Sequence, residues 1–247
     1  MTAGSGHQVP LDGLPGYRRK FRFTPLPGRI IAELEDDFHC MAVTVFHDGT
    51  LATNVVADMR RVPWTTCPGA QVELSNTFNG LPLSEFGRQG GKKTSNCTHL
   101  FDLATFAAEH ATDDKPSNYD ILVSDVENNE RQAEIRLNGE KQLSWREREF
   151  VLVAPENLAG QHLMELGQWI STLEAPEKRA AKMLRWGNMV ANGRSIPLNE
   201  QSDATRMPPN CYTFQPERAV EAKRVGLIRD FSEDNTQPLA DYPPETE

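Results

Sequence analysis

The chain has 247 residues, a formal net charge of −9 and 25% charged residues, enough to bury a sizeable core but of the wrong sign to cover a polyanion. Neither a broad nucleic-acid surface nor a membrane span is expected, because no run reaches the roughly 18–20 apolar residues that a span needs. The opening Met-Thr-Ala-Gly-Ser-Gly-His lacks a basic start followed by an apolar stretch, so a cytoplasmic location is expected. There, four cysteines are thiols or ligands rather than disulfides.

Residues 1–28 carry Pro10, Pro15, Pro25 and Pro27 and read as an extended arm. Within it, Arg18-Arg19-Lys20-Phe21-Arg22 is a small basic cluster, expected as a solvated arm or a strand edge. Residues 37–47 are rich in β-branched and aromatic types and run into the turn signal His47-Asp48-Gly49, with a return strand from Leu51 to Met59. Cys67-Pro68-Gly69-Ala70 opens a helix that should end before Asn79-Gly80. Residues 87–96 read as a glycine-rich loop, closed by Ser95 or Asn96 as a cap. From Cys97, the positions Leu100, Leu103, Ala104, Ala107, Ala108 and Ala111 trace one buried helical face.

After Pro116, strands are expected over 119–126, 132–137 and 149–153, broken at Asn128-Asn129 and Asn138-Gly139. Helices follow near 159–173 and 176–192. The tail from Ser232 mixes acids with prolines and is expected to be disordered. No internal repeat is visible. These elements predict an α+β fold, with an antiparallel sheet packed against helices. The expected divisions are an arm at 1–28, a core at 29–115, an α+β extension or cover at 116–231 and an acidic tail at 232–247.

Cys67 and Cys97 each stand at a helix mouth, where free N–H groups and the positive end of the dipole favour the thiolate. A free cysteine is also a small apolar residue that simply packs. Two such cysteines, with His99 two residues after the second, point to a site. Lys92 and Lys93, with the N–H groups of the following helix, are candidates to hold an anionic cofactor or substrate group such as a carboxylate or phosphate. A solvated loop is the alternative, and phosphate-loop spacing fails, since Phe86 and Lys93 stand where Gly and Ser or Thr would be needed. His39 and His47 share a strand face but lie about 26 Å apart and read as structural or surface residues. Cys40 reads as core, and Cys211 either as core or as part of a late segment folded back over the site. No Ser-His-Asp constellation, nucleotide fingerprint or paired Cys-x-x-Cys is present.

Trp64-Thr-Thr-Cys-Pro-Gly-Ala70 and Cys97-Thr-His-Leu-Phe-Asp-Leu103 resemble the signature of a bacterial family that brings no activity with it. The likeness spans about residue 29 to the segment at Cys211. More distantly, the order of elements is similar to that of the iron–sulfur cluster assembly scaffolds. There, a hairpin opens with Cys-Gly-Asp, and two further cysteines follow at helix starts. Glu35-Asp36-Asp37, Cys67-Pro-Gly-Ala and Cys97-Thr-His-Leu occupy these places here. The resemblance implies a scaffold-like core with Asp37, Cys67 and Cys97 around one spot. Glu35 replaces the first cluster cysteine, Asn96 the expected histidine, and the chaperone motif Leu-Pro-Pro-Val-Lys is absent. Two thiolates and one carboxylate suit zinc or another divalent metal with an open position better than an iron–sulfur cluster.

The expected function is a metal- or thiolate-dependent enzyme, of lyase or hydrolase type, acting on a small organic substrate. Cys97, Cys67 and His99 would be its catalytic groups, and Asp37, Cys67 and Cys97 its metal ligands. The alternative is a sulfur, metal or cluster carrier without catalytic activity.

Overall fold

The computed structural model describes residues 10–197, 202–234 and 236–244. Eight antiparallel strands form one sheet in the order β4-β3-β2-β1-β5-β6-β7-β8. The strands are β1 (Gly16–Leu26), β2 (Arg29–Asp36), β3 (Cys40–His47), β4 (Ala52–Arg61), β5 (Ser117–Ser124), β6 (Arg131–Leu137), β7 (Glu140–Arg148) and β8 (Val151–Ala154). Helices α1 (Ala70–Phe78) and α2 (Thr98–His110) follow the first four strands, and α3 (Gly167–Thr172) and α4 (Ala175–Ala191) follow the second four. The short α5 (Pro216–Ala219) comes last. The fold is α+β, with an antiparallel sheet packed against helices.

The expected arm is the middle of the sheet. β1 pairs with β2 through Arg19↔Asp36 and with β5 through Phe21↔Tyr119, so residues 16–26 join the two halves into one layer. Prolines and clustered cations disguised a strand whose inward positions Tyr17, Phe21 and Phe23 alternate regularly and are fully buried. The basic cluster is neutralised in place, with Arg19 on Asp36, Lys20 on Asp120 and Arg22 on Glu33. Arg18 donates to the carbonyls of Leu11, Leu14 and Tyr17. β7 also escaped the sequence, because only Leu143 and Trp145 mark its inward face.

The three longest α-helices cover one face. α2 packs on β2 and β3, α1 on β4, and α4 on β5, β6 and β7. Phe21, Phe106 and Trp186 meet at the centre, with ring centroids 5.7–6.1 Å apart. The expected helix over 159–173 is a 3₁₀ turn, Leu163–Glu165, followed by the short α3. The expected loop at 87–96 is wound into 3₁₀ turns over Leu83–Ser95. Among the described residues, no helix is long and apolar enough to cross a membrane.

The acidic tail is ordered where it is described. Phe231 and Leu239 are buried against the other face of the sheet. The Leu239 N–H donates to Glu35 Oε2 at 2.6 Å, and Arg22 donates to the Tyr242 carbonyl. The tail thus satisfies a row of charges that the sheet would otherwise expose.

Gly187 lets α4 lie close to the sheet, since a Cβ there would stand 2.8 Å from Ile121 Cγ2. Gly187→Ala, which in an open helix would stabilise by about 1 kcal/mol, is expected to destabilise here by about 1–3 kcal/mol. Ile121→Val in the same chain should recover part of the loss. Thermal unfolding of the single and double variants checks both signs.

Candidate functional site

The site grows from two charged residues at inward positions of apolar strands. Arg19 follows Tyr17 and precedes Phe21 on β1, and Asp36 ends the inward series Ile30, Ala32 and Leu34 on β2. Both side chains are sealed from solvent. Asp36 Oδ2 accepts from the Tyr17 hydroxyl at 2.8 Å and from Arg19 Nε at 3.0 Å. Its Oδ1 accepts from the N–H groups of Phe38 and His39, each at 2.8 Å, and lies 3.1 Å from His39 Nδ1. Burial alone would raise the Asp36 carboxyl, but Arg19 and then His39 outweigh it and hold it well below the usual carboxylate range. An ionised carboxylate only accepts, so His39 Nδ1 carries a proton and donates it towards Asp36.

His39 leaves the β2–β3 turn, and His99 lies in the first turn of α2. Their rings stack with centroids 3.9 Å apart and an interplanar angle of 29°. Trp186 of α4 closes over His99 at 5.1 Å, while the Arg19 guanidinium lies 4.3 Å from the Trp186 ring. Burial, His39 and Arg19, in that order, push His99 well below the ordinary imidazole range, so it is neutral at neutral pH. His99 Nε2 and one terminal nitrogen of Arg19 are buried without a protein partner.

Both imidazoles open into a cavity of about 450 Å³. Cys67, Cys97 and Cys211 line it, with Trp64, Trp186 and Tyr212 among its aromatic walls. Its cover is the late segment around Cys211, which is pinned to the core at several points. The Tyr212 N–H donates to the Asn96 carbonyl at 2.8 Å, and Thr213 Oγ1 donates to Cys67 Sγ at 3.3 Å. Gly69 allows this closure, because a Cβ there would stand 2.5 Å from the Tyr212 hydroxyl.

The structure therefore brings Cys67, Cys97 and His99 to one cavity, as the sequence predicts, and adds Cys211 and His39. The thiolate expectation is overturned. Cys97 is the N-cap residue of α2, and the N–H groups of His99 and Leu100 act on its sulfur in the favourable sense, but burial is larger and pushes the thiol well up. Burial raises Cys67 as well, against the Thr213 hydrogen bond, and pushes Cys211 up to about 11. All three rest as thiols.

Asp37 does not join them. Its carboxylate pairs with Arg194 at 2.8 Å, in a cluster where the same guanidinium also holds Asp125 and Asp230. The expected Asp37–Cys67–Cys97 ligand set is not assembled. Lys93 borders the cavity, but its Nζ lies 2.6 Å from both oxygens of Asp102, which neutralises it, and Lys92 is exposed. Lys93 is thus engaged by Asp102, and Lys92 is not among the residues that line the cavity.

Among the described residues, one group of potential metal ligands converges, with atoms of Asp36, His39 and His99 within 4.8 Å of one another. The donor geometry fits a metal poorly. Asp36 is already saturated by neighbouring donors and bound to a cation. Two nearly parallel stacked rings also hold their in-plane lone pairs in planes that meet far from either ring, so one ion at about 2.0–2.1 Å from both nitrogens requires a ring to rotate. The arrangement sets a carboxylate-held imidazole, a neutral imidazole at His99 and three thiols around one partly open cavity, groups able to exchange protons with a bound molecule. His39, Asp36 and Arg19 were missed as site residues. The available signal was charge at inward strand positions, which periodicity alone exposes for Arg19 and Asp36.

Two measurements check the electrostatics. With thiols held protonated, iodoacetamide at about pH 8 should label Cys67, Cys97 and Cys211 at least about 100-fold more slowly in the folded chain than in the unfolded one, as read by mass spectrometry. Asp37 is pushed up to about 7, chiefly by burial, from 3.8. Its stabilising contribution is therefore complete below the unfolded value and is lost as pH rises through about 7. Asp37→Asn should gain thermal stability relative to the parent as pH rises from about 4 to 8, and a relative loss would show that the Arg194 ion pair dominates instead.

No family model matches the chain, and neither does any curated protein.

Proposed function

We propose that the chain is an enzyme of lyase or hydrolase type, acting on a small organic substrate bound in the thiol-lined cavity, with proton transfer carried by His39 and His99. The observation that supports this most directly is the stacked imidazole pair, anchored on Asp36 and opening into that cavity.

His39 Nε2 is the base, since Nδ1 is engaged by Asp36, and the imidazolium formed on proton uptake faces a carboxylate that stabilises it. His99 stays neutral beside it, because two charged rings at 3.9 Å would repel each other. Stacked face to face, the rings do not hand a proton to each other; each exchanges protons with a bound molecule through its own in-plane nitrogen. Cys97 and Cys67 enter as thiols. Either becomes a nucleophile only when its proton passes to a base, and His39 and His99 line the same cavity. Aromatic walls limit the water around a bound molecule and so strengthen the fields acting on it.

Untargeted mass spectrometry of a bacterial metabolite extract tests the proposal. One or a few compounds should be consumed by the parent chain, and at least about 100-fold more slowly by the folded His39→Gln/His99→Gln variant. Turnover that is equal in the two proteins, or no change in the extract with either, overturns it.

A further inference from the structure

The cavity at the imidazoles adjoins a second, of about 470 Å³, and the two share Lys93, Trp186 and Met189 as lining residues. α4 forms the common wall. Lys182, Arg185, Trp186 and Met189 recur at the spacing of one helical face, so the wall changes from cationic to aromatic along its length. Gly87 and Gly90 leave the opposite rim without side chains.

Three cations border the second cavity, and two are neutralised. Lys93 is held by Asp102, and Lys182 lies 2.6 Å from Glu109. Arg185 differs. It is half-buried, it donates to the Met164 carbonyl at 3.2 Å, and among the described residues no carboxylate lies within ion-pair distance of it. Burial lowers its affinity for the proton, with only Asp102 acting in the other sense. A half-buried guanidinium without a counter-charge is an unfavourable feature that an incoming anion would relieve. The remaining acid on this cavity, Asp102, has its charge met by Lys93 and its carboxyl raised by burial, which limits its repulsion of such an anion.

Resting on the proposal that a small organic molecule binds beside His39 and His99, we infer that this substrate is an elongated organic monoanion whose carboxylate-type group is received by Arg185, while its apolar body runs past Trp186 to the imidazoles. One uncompensated cation matches one negative charge, whereas a phosphate dianion would need a second. A planar guanidinium presents two parallel donors to a carboxylate or sulfonate, which fixes direction as well as affinity. Trp186 offers a flat surface to the body of the molecule, and the reacting carbon then lies at the far end, beside the thiols. The anion site expected at Lys92 and Lys93 is thereby moved to α4.

Fluorescence titration of the full chain with two dyes of similar body tests the assignment: the monoanion 8-anilinonaphthalene-1-sulfonate and the neutral N-phenyl-1-naphthylamine. Arg185→Gln is expected to weaken the anionic dye about tenfold, the loss of roughly one charge-assisted hydrogen bond, with the neutral dye changed less than about twofold. Arg185→Lys keeps the charge and should restore most of the anionic affinity. Circular dichroism confirms that each variant is folded, and the lysine variant keeps the test open should the glutamine variant unfold. Equal weakening of both dyes, or no change with Arg185→Gln, overturns the inference. If the dyes behave as expected but the metabolite extract is unchanged, the proton-transfer proposal fails and the anion site stands. Consumption of a neutral or cationic compound defeats the anion site alone.

Discussion

The buried pair of Arg19 and Asp36 is the interaction on which the site depends. Removing two opposite charges from water is costly, and the pair is tolerable only because its hydrogen-bonding capacity is met from several directions at once. Tyr17, the backbone of Phe38 and His39, and the His39 ring all converge on one carboxylate. Those partners come from β1 and the β2–β3 turn, while Trp186 of α4 stacks on the guanidinium. The pair therefore fixes the register of the central strands and the direction of the His39 ring in the same set of contacts.

The cavity follows from that anchor. His39 is held by Asp36, His99 stacks on His39, and Trp186 covers His99, so three elements are spaced by one chain of contacts. The late segment then closes the remaining side through Tyr212 and Thr213. This closure determines the state of the cysteines. A helix N-terminus favours a thiolate by a partial charge that acts over one turn, whereas enclosure removes the solvation of a full charge. At Cys97 the two effects oppose each other at one sulfur, and enclosure is the larger. The thiols are thereby kept protonated, while the two imidazoles stand beside them at the same cavity.

Individual residues show how far the chain could be read on its own. The α2 face from Leu100 to Ala111 was legible, because apolar residues at this spacing line up on one side of a helix and would scatter over both faces of a strand. The β3–β4 hairpin was legible from its turn and its β-branched residues. β1 was not, since its cations look solvated until β2 and β5 supply the opposite charges. Cys67, Cys97 and His99 could be placed together from helix starts and from resemblance. Asp37 was placed with them wrongly, because adjacent residues on an extended chain point in opposite directions and Asp36 took the inward one.

By itself the sequence determined the class of fold, the helix that carries His99, and two of the three cavity thiols. These are properties of local periodicity and capping, which a few neighbouring residues specify. Only the tertiary structure decided that the basic N-terminal segment is the centre of the sheet, that His39 faces His99, that Lys93 is neutralised while Arg185 is not, and that the thiols stay protonated. Each of these is set by groups distant in sequence, through pairing and desolvation that exist only once the chain has closed around them.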